Sequence, residues 1–257
     1  MRVGVCGAGG RMGRQVCKAV ADEADLELVC AIDPAWEGQK LALVTGLESD
    51  LVIQGNAGSL VDCRVEVMID FSVAPAAREN IPFALSRGIH CVVGTTGFDE
   101  EELEGFDRIS HESGVACMVA PNFAIGAVLM MDFARRAGRY MDACEIIELH
   151  HDAKLDAPSG TARLTARRIL AELEKGAEEK REDGPRGLDV GGIHVHSVRL
   201  PGLVAHQEVI FGGRGQTLTI RHDSYDRTSF MPGVILAVKK VTGMKGLFVG
   251  LENLLDL

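Results

Sequence analysis

Apolar positions recur along this chain in two regimes. In the first half, short unbroken runs of Val, Ile, Met and Cys alternate with stretches of helical period. The runs are Arg2–Cys6, Leu26–Ile32, Val65–Phe71, His90–Val93 and Val115–Val119, and the helical stretches lie near Gly10–Ala21, Pro75–Ser86 and Asp99–His111. Unbroken runs suit strands buried on both faces, and strand–helix alternation builds a parallel, doubly wound sheet through right-handed crossovers. The second half changes character. Cys144–His150 has strand character, Pro158–Leu173 is helical with Pro near its start, and Glu172–Arg186 is dense in charge and expected to be a solvated loop. Three strand candidates then follow in a row: Ile193–Leu200, Leu203–Phe211 and Gln216–His222. Consecutive strands imply a mixed or antiparallel sheet with one open face. A last helix covers Phe230–Val241, and an apolar tail follows it.

Composition narrows the class. A chain of 257 residues makes one or two domains and buries a substantial core. Its net charge of −10, from 27 basic and 37 acidic side chains, argues against non-specific nucleic-acid binding. A local basic pocket for a small anion stays open. No apolar run nears the roughly 20 residues of a membrane span. The start, Met1-Arg2-Val3-Gly4-Val5, runs into a strand pattern without a charged-then-apolar leader, so a cytoplasmic protein is expected. The seven cysteines include no Cys-x-x-Cys pair, and Cys6, Cys30, Cys91, Cys117 and Cys144 fall in strand candidates. They are expected to be small buried hydrophobes in reducing surroundings.

The first chemical signal is Gly7-Ala8-Gly9-Gly10-Arg11-Met12-Gly13, which follows a strand and opens a helix. Glycines permit a tight turn and close approach of a pyrophosphate, and the helix start offers unpaired N–H groups with partial positive charge. The spacing is Gly-x-x-Gly-x-x-Gly with Gly9 added, not Gly-x-Gly-x-x-Gly. Asp33 ends the second strand, about twenty residues on, where an acid binds ribose hydroxyls. Order and turn together predict an α/β fold with a Rossmann-type doubly wound parallel sheet, plus a second α+β domain with a mixed sheet. Arg11 is the candidate for a 2′-phosphate, so NADH and NADPH both stay open. Two further turns, Gly94-Thr95-Thr96-Gly97 and Ala120-Pro121-Asn122-Phe123, follow strands of the same sheet. Thr95, Thr96 and Asn122 are candidates for the nicotinamide amide and Phe123 for its ring. Asp70-Phe71-Ser72 is a weaker addition.

The second signal is Glu148-Leu149-His150-His151-Asp152-Ala153-Lys154-Leu155-Asp156-Ala157-Pro158-Ser159-Gly160-Thr161-Ala162. It leaves a strand, crosses a polar loop and begins a helix. Ser159, Gly160 and Thr161 offer a second anion site at that helix start, and His150, His151 and Lys154 add positive charge beside it. A dicarboxylate fits this pocket. Adjacent strand residues point to opposite sides, so His150 and His151 chelate poorly together. His194 and His196 share a strand face but lack a third ligand, so no metal site is expected.

These residues resemble the 4-hydroxy-tetrahydrodipicolinate reductase (dihydrodipicolinate reductase) family. Its Gly-Ala-x-Gly-Arg-Met-Gly start, Gly-Thr-Thr-Gly turn and His-His-x-x-Lys-x-Asp-Ala-Pro-Ser-Gly-Thr-Ala block stand here as Gly7–Gly13, Gly94–Gly97 and His150–Ala162. Ser197-Val198-Arg199 and His206-Gln207-Glu208-Val209 also match, and the likeness runs over nearly the whole chain. The resemblance implies NAD(P)H-dependent reduction of a small cyclic imine dicarboxylate, in the diaminopimelate route to lysine. It implies cofactor contacts at Gly7–Met12, Asp33, Gly94–Thr96 and Ala120–Phe123. His150 is implied as proton donor or acceptor, Lys154 as proton donor, and His151, Gly160 and Thr161 as substrate contacts. A homotetramer built through the second domain is implied too, with residues 1–122 and 231–257 as the dinucleotide domain and 123–230 as the substrate and oligomerisation domain. The wording departs from the family around Phe230-Met231-Pro232-Gly233, and Pro34-Ala35-Trp36 supply no cation to accompany a 2′-phosphate.

Overall fold

The computed structural model describes residues 1–173, 179–181 (backbone only), 185–255 and 257. In chain order the elements are β1 (Arg2–Cys6), α1 (Arg11–Ala21), β2 (Glu27–Ile32), α2 (Leu41–Thr45), α3 (Ser59–Asp62), β3 (Val67–Asp70), α4 (Ala74–Leu85), β4 (His90–Val93), α5 (Glu100–Ser113) and β5 (Ala116–Val119). There follow α6 (Ile125–Ala137), β6 (Ala143–His150), α7 (Gly160–Glu172), β7 (Glu179–Arg181), β8 (Leu188–Val190), β9 (Ile193–Arg199), β10 (Ala205–Gly213), β11 (Gln216–Ser224), α8 (Met231–Val241) and β12 (Gly246–Val249). The chain divides into two compact units, Met1–Phe123 with Phe230–Asp256, and Ala124–Ser229.

The first unit is a six-stranded sheet in the order β12-β5-β4-β3-β1-β2, and every neighbouring pair is parallel. Strands β3 and β5 are buried at every position, which is why their sequences run apolar without alternation. Residues Ala77, Ile81 and Leu85 of α4 and Phe106 of α5 pack on Cys6, Met68, Cys91, Val93 and Cys117. Helices α1 and α8 pack beside one another, and α8 also meets β4 and β5. Helix α5 has clear start and stop signals. The Asp99 carboxylate accepts the Glu102 N–H, the Glu102 carboxylate accepts the Asp99 N–H, and Gly114 ends the helix in the left-handed region. The apolar tail is not loose: β12 pairs with β5 and closes the sheet edge.

The second unit is a mixed six-stranded sheet in the order β11-β10-β6-β9-β8-β7. Strands β6 and β9 are parallel and the other neighbours antiparallel. Its core joins Ala134 of α6 and Ala162, Ala166 and Ile169 of α7 to Ile146, Val195, Val209 and Phe211 of the sheet. Alternate strand positions, among them Glu145, Ile147 and Ile210, turn to the other face and are only partly buried.

Several expectations need correction. The charge-dense stretch 172–186 is not all loop: Glu172 closes α7 and Glu179–Arg181 pairs with β8, while 174–178 and 182–184 lie outside the described residues. Helix α7 starts at Gly160, two residues after Pro158, because the Ser159 hydroxyl accepts the Ala162 N–H and caps it. Helix α6 lacks any N-terminal capping side chain and was not anticipated. Cys144 is half-buried, near the exposed start of β6, whereas Cys6, Cys30, Cys91 and Cys117 are buried. Burial pushes the Cys6 and Cys91 thiols up, and that of Cys17 to about 12, which keeps them protonated and inert. Among the described residues no helix is long and apolar enough to cross a membrane.

Candidate active site

The turn between β1 and α1 is shaped by what its residues lack. Gly7 has φ +78°, and a Cβ there would press on the Phe71 carbonyl oxygen at 2.6 Å. A Cβ on Gly13 would overlap the carbonyl oxygen of Gly7, so the helix can start this close only with glycine. Gly10 is the N-cap of α1 and supplies no capping side chain. The first-turn N–H groups of Arg11 and Met12 therefore have no intrahelical acceptor by geometry. Ala8 and Gly9 are buried, Met12 is half-buried, and Gly10 and Arg11 are exposed. Gly7, Gly10, Asp33, Asn56, Ser72 and Asn80 line a cavity of about 390 Å³. Glycines without room for a Cβ, an uncapped helix start and an acid across the cavity fit a dinucleotide pyrophosphate and ribose.

Asp33 already has work inside the turn. Its carboxylate accepts the Gly9 N–H at 2.9 Å and the Ala35 N–H at 3.1 Å. A carboxylate has about four lone-pair sites, so ribose hydroxyls still find acceptors there. The structure supplies a cation that the spacing did not suggest. Arg14 donates from Nε to the Gly9 carbonyl at 2.8 Å, and its guanidinium lies 5.1 Å from the centre of the Trp36 ring.

Asp70 organises its own turn, Asp70–Ser72, and the Gly94–Gly97 turn. Its fully buried carboxylate accepts the Ser72 N–H (3.0 Å), the Ser72 hydroxyl (2.7 Å), the Thr95 hydroxyl (2.7 Å) and the Asn80 amide (3.0 Å). The Thr95 hydroxyl is thereby committed inside the protein. Phe123 is 2% exposed and packs on Phe71 with ring centres 5.6 Å apart, so its ring has no free face for a nicotinamide. The Phe71 ring in turn lies against Gly94. Thr96 and Pro121 are exposed, Asn122 is half-buried and Ala120 is buried.

In the second unit the segment 148–162 gathers around Glu148, which is 0% exposed. Arg199 grips it with both guanidinium arms, Nη1 to Oε2 at 2.9 Å and Nη2 to Oε1 at 2.7 Å. His150 Nδ1 lies 2.5 Å from Oε2, and the Ser159 N–H donates to Oε1 at 3.2 Å. Burial raises the Glu148 pKa, but the bonds from His150, Arg199 and Ser197 outweigh it and hold the group down at about 2. Arg199 also donates to the Asp156 carbonyl at 2.7 Å, tying down the loop. Lys154 donates to Asp156 at 2.6 Å, which lowers the Asp156 pKa. His151 and Gly160 are exposed, and Thr161 is half-buried. The N–H groups of Gly160 and Thr161 belong to the first turn of α7, where an external anion can take them. His150 and the Ser159–Thr161 turn are thus joined through one carboxylate. His194 and His196 lie apart from this group, with His196 2.8 Å from Glu145. Among the described residues no three His, Cys, Asp or Glu side chains are grouped to hold a metal.

Glu148, Arg199 and Arg14 are the residues that sequence reasoning left without a role, and Asp70 was named only with its turn. A charge at an inward strand position was the signal for Glu148, since it stands two residues from His150 on one face. Nothing local points from Arg199 to a partner 51 residues away.

Residues 1–123 match the family model for the dihydrodipicolinate reductase N-terminus, and residues 126–255 the model for its C-terminus. The 4-hydroxy-tetrahydrodipicolinate reductase of Mycolicibacterium smegmatis is 49% identical, over 100% of both chains, and that of Moorella thermoacetica 47%, over 100% of this chain and 98% of the relative. A dipicolinate-bound dihydrodipicolinate reductase from Paenisporosarcina sp. TG-14 superposes with a TM-score of 0.87 at 41% identity, covering 99% of each chain. An amine dehydrogenase from Mycobacterium smegmatis, 12% identical with a TM-score of 0.68, shares the fold alone. With matches at this identity over its full length, the chain belongs to the dihydrodipicolinate reductase family.

Proposed function

We propose that this protein reduces 4-hydroxy-tetrahydrodipicolinate to tetrahydrodipicolinate with NADH or NADPH, the reductase step of the diaminopimelate route to lysine. The observation that carries the reading is the α7 start. An anion-binding turn, Ser159–Thr161, shares the buried Glu148 with His150 and follows a loop bearing His151 and Lys154. A cyclic imine with two carboxylates needs such a set. One carboxylate takes the N–H groups of Gly160 and Thr161 with the Ser159 cap, and the other meets His151 and Lys154. Dipicolinate, named in the Paenisporosarcina relative, is a ring dicarboxylate of this kind.

The reduced nicotinamide, when bound, supplies the hydride. The chain's own residues do the rest. Gly7–Met12 hold the pyrophosphate, Asp33 the ribose, and the turns at Gly94–Thr96 and Ala120–Phe123 the nicotinamide end. Thr95, its hydroxyl committed to Asp70, takes part through its backbone. The 4-hydroxyl leaves as water, which conjugates the imine; hydride addition to that ring leaves an enamine that must gain a proton, and His150 delivers it. Lys154 offsets negative charge that grows in the transition state and serves as a second proton source. The protein acts in the cytoplasm as a homotetramer that buries the open face of the second unit's sheet.

The direct test generates 4-hydroxy-tetrahydrodipicolinate enzymatically and follows NADH and NADPH oxidation. Turnover with this substrate and none with simple 2-oxo acids is expected. No oxidation of either cofactor overturns the reading. Light scattering in solution checks the tetramer.

A further inference from the structure

We propose that Glu148, gripped by Arg199, is a positioning residue of this reduction, setting the ring of His150 and the first turn of α7 together. The inference rests on the proposed reduction, but its geometry stands apart from the substrate. Glu148 lies on the inward face of β6 with Ile146, where an apolar side chain would be ordinary. A buried carboxylate is costly unless it is paired and fully bonded, and swapping such a pair for apolar residues is often neutral or stabilising. This one divides its two oxygens with economy. Oε2 takes one Arg199 arm and His150 Nδ1; Oε1 takes the other arm and the Ser159 N–H.

The groups facing Glu148 come from every neighbouring element. They are His150 on β6, Ser197 and Arg199 on β9, Ser159 at the α7 start and its register partner Gln207 on β10. A carboxylate only accepts hydrogen bonds, so His150 must carry its hydrogen on Nδ1. That leaves Nε2 as the nitrogen that exchanges a proton with the substrate. Arg199 anchors the far end of the loop through the Asp156 carbonyl. From β10, the Gln207 amide donates to the Thr165 hydroxyl at 2.7 Å, which donates to the Thr161 carbonyl at 2.8 Å. The anion turn is therefore fastened to the sheet at both Ser159 and Thr161. Proton-transfer nitrogen and anion turn are held on rigid strands in a fixed mutual placement, which proton transfer and hydride transfer both require.

The test compares Glu148→Gln, the charge-neutral pair Glu148→Gln/Arg199→Met, His150→Gln, and His150→Gln/Glu148→Gln in the full chain. Should Glu148→Gln fail to fold because Arg199 loses its partner, the charge-neutral pair carries the experiment. We expect folded variants with unchanged NADH affinity and kcat lowered about 10²-fold. Adding Glu148→Gln to His150→Gln should cost little more, since Glu148 acts through His150. Nitrogen-15 NMR of the imidazole should show hydrogen on Nδ1 in the wild type and a mixed tautomer in the neutral pair. Wild-type kcat in the folded neutral pair, or losses that simply multiply, overturns the assignment. Absent turnover in the wild type would sink the proposed reduction instead, and the tautomer measurement would still decide the role of Glu148.

Discussion

The glycine turn of the first unit and the 148–162 segment of the second are built from different material for the two charged groups we propose they bind. The turn uses backbone, and its shape depends on missing side chains at Gly7 and Gly13. The segment uses side chains, arranged about a buried carboxylate bonded to a histidine, an arginine and a backbone N–H. A bound pyrophosphate keeps its charge throughout the reaction, so fixed N–H dipoles serve it. A proton must arrive and leave, so the second site needs a titratable group with something to orient it. The two should fail in opposite ways, the first when an atom is added, the second when a charge is removed.

The largest effect is expected at the side-chain site. His150→Gln should lower kcat about 10²–10⁴-fold, the usual span for acid–base catalysis, with little change in substrate KM. Lys154→Ala should lower kcat and raise KM together, because it removes a charge-assisted contact as well as a proton source. NADH affinity should hold in both, by fluorescence titration. Near-wild-type kcat in both variants would take this loop out of the chemistry and dissolve the contrast.

The next effect belongs to the backbone site. Gly13→Ala puts a methyl where the Gly7 carbonyl sits. Such overpacking costs about 1–3 kcal/mol, visible as a lower melting temperature. The NADH dissociation constant should rise about 10–100-fold, the binding equivalent of that strain. At saturating NADH, kcat should stay near wild type. A Gly13→Ala variant that binds NADH normally would show that the close approach is incidental.

The same contrast explains what was legible in the sequence. The parallel sheet was legible because β1, β3, β4 and β5 are short and apolar on both faces, and turn glycines mark their ends. The glycine turn was legible because a backbone site is written in consecutive residues. Helix α6 was missed because Ile125–Ala137 carries apolar residues on several sides, and no capping side chain marks its start. Strand β12 was hidden in a tail whose partner, β5, lies far back in the chain. His150, Lys154 and Ser159 could be named as candidates because they stand in one block. Glu148–Arg199 could not be paired, because only the parallel register of β6 and β9 sets Glu148 beside Ser197 and His150 beside Arg199. Phe123 and Thr95 were assigned to the cofactor by position alone. Packing on Phe71 and bonding to Asp70 show where that side-chain chemistry goes instead.

Acid sharpens the comparison further. Glu148 titrates at about 2 in the folded protein against a reference value of 4.5. Its folded pKa is depressed, so it contributes stability above 4.5 and loses it as pH falls towards 2. Urea midpoints of the wild type should fall through this window more steeply than those of Glu148→Gln/Arg199→Met. The two curves should converge at the acid end. Gly13→Ala should instead run below the wild type at a constant offset, since no titrating group changes. Parallel curves for the neutral pair would mean that Glu148 does not carry this acid dependence.

The smallest effect, and the finest test of the backbone site, is cofactor choice. Asp33 offers acceptors to a ribose 2′-hydroxyl but repels a 2′-phosphate, so NADH should serve at least as well as NADPH. Asp33→Ala removes the acceptor of the Gly9 N–H as well, and both cofactors should weaken, NADH more. Asp33→Asn keeps an acceptor there and discards the charge, which isolates the electrostatic part. Its ratio of NADH to NADPH kcat/KM should move about 5-fold towards NADPH, the scale of the roughly 1 kcal/mol by which a hydrogen bond to a charged group exceeds a neutral one. Two cations are candidates for a 2′-phosphate. Arg11 is exposed at the helix start, while Arg14 is bonded to the Gly9 carbonyl and rests on Trp36. Arg14 is pre-ordered on the same glycine that Asp33 holds, so less side-chain freedom is lost on binding. Arg14→Met should therefore weaken NADPH more than Arg11→Met does, and both should leave NADH nearly unchanged. A larger loss in Arg11→Met would return the phosphate to the helix start, and equal losses for NADH and NADPH would make both arginines mere supports of the turn.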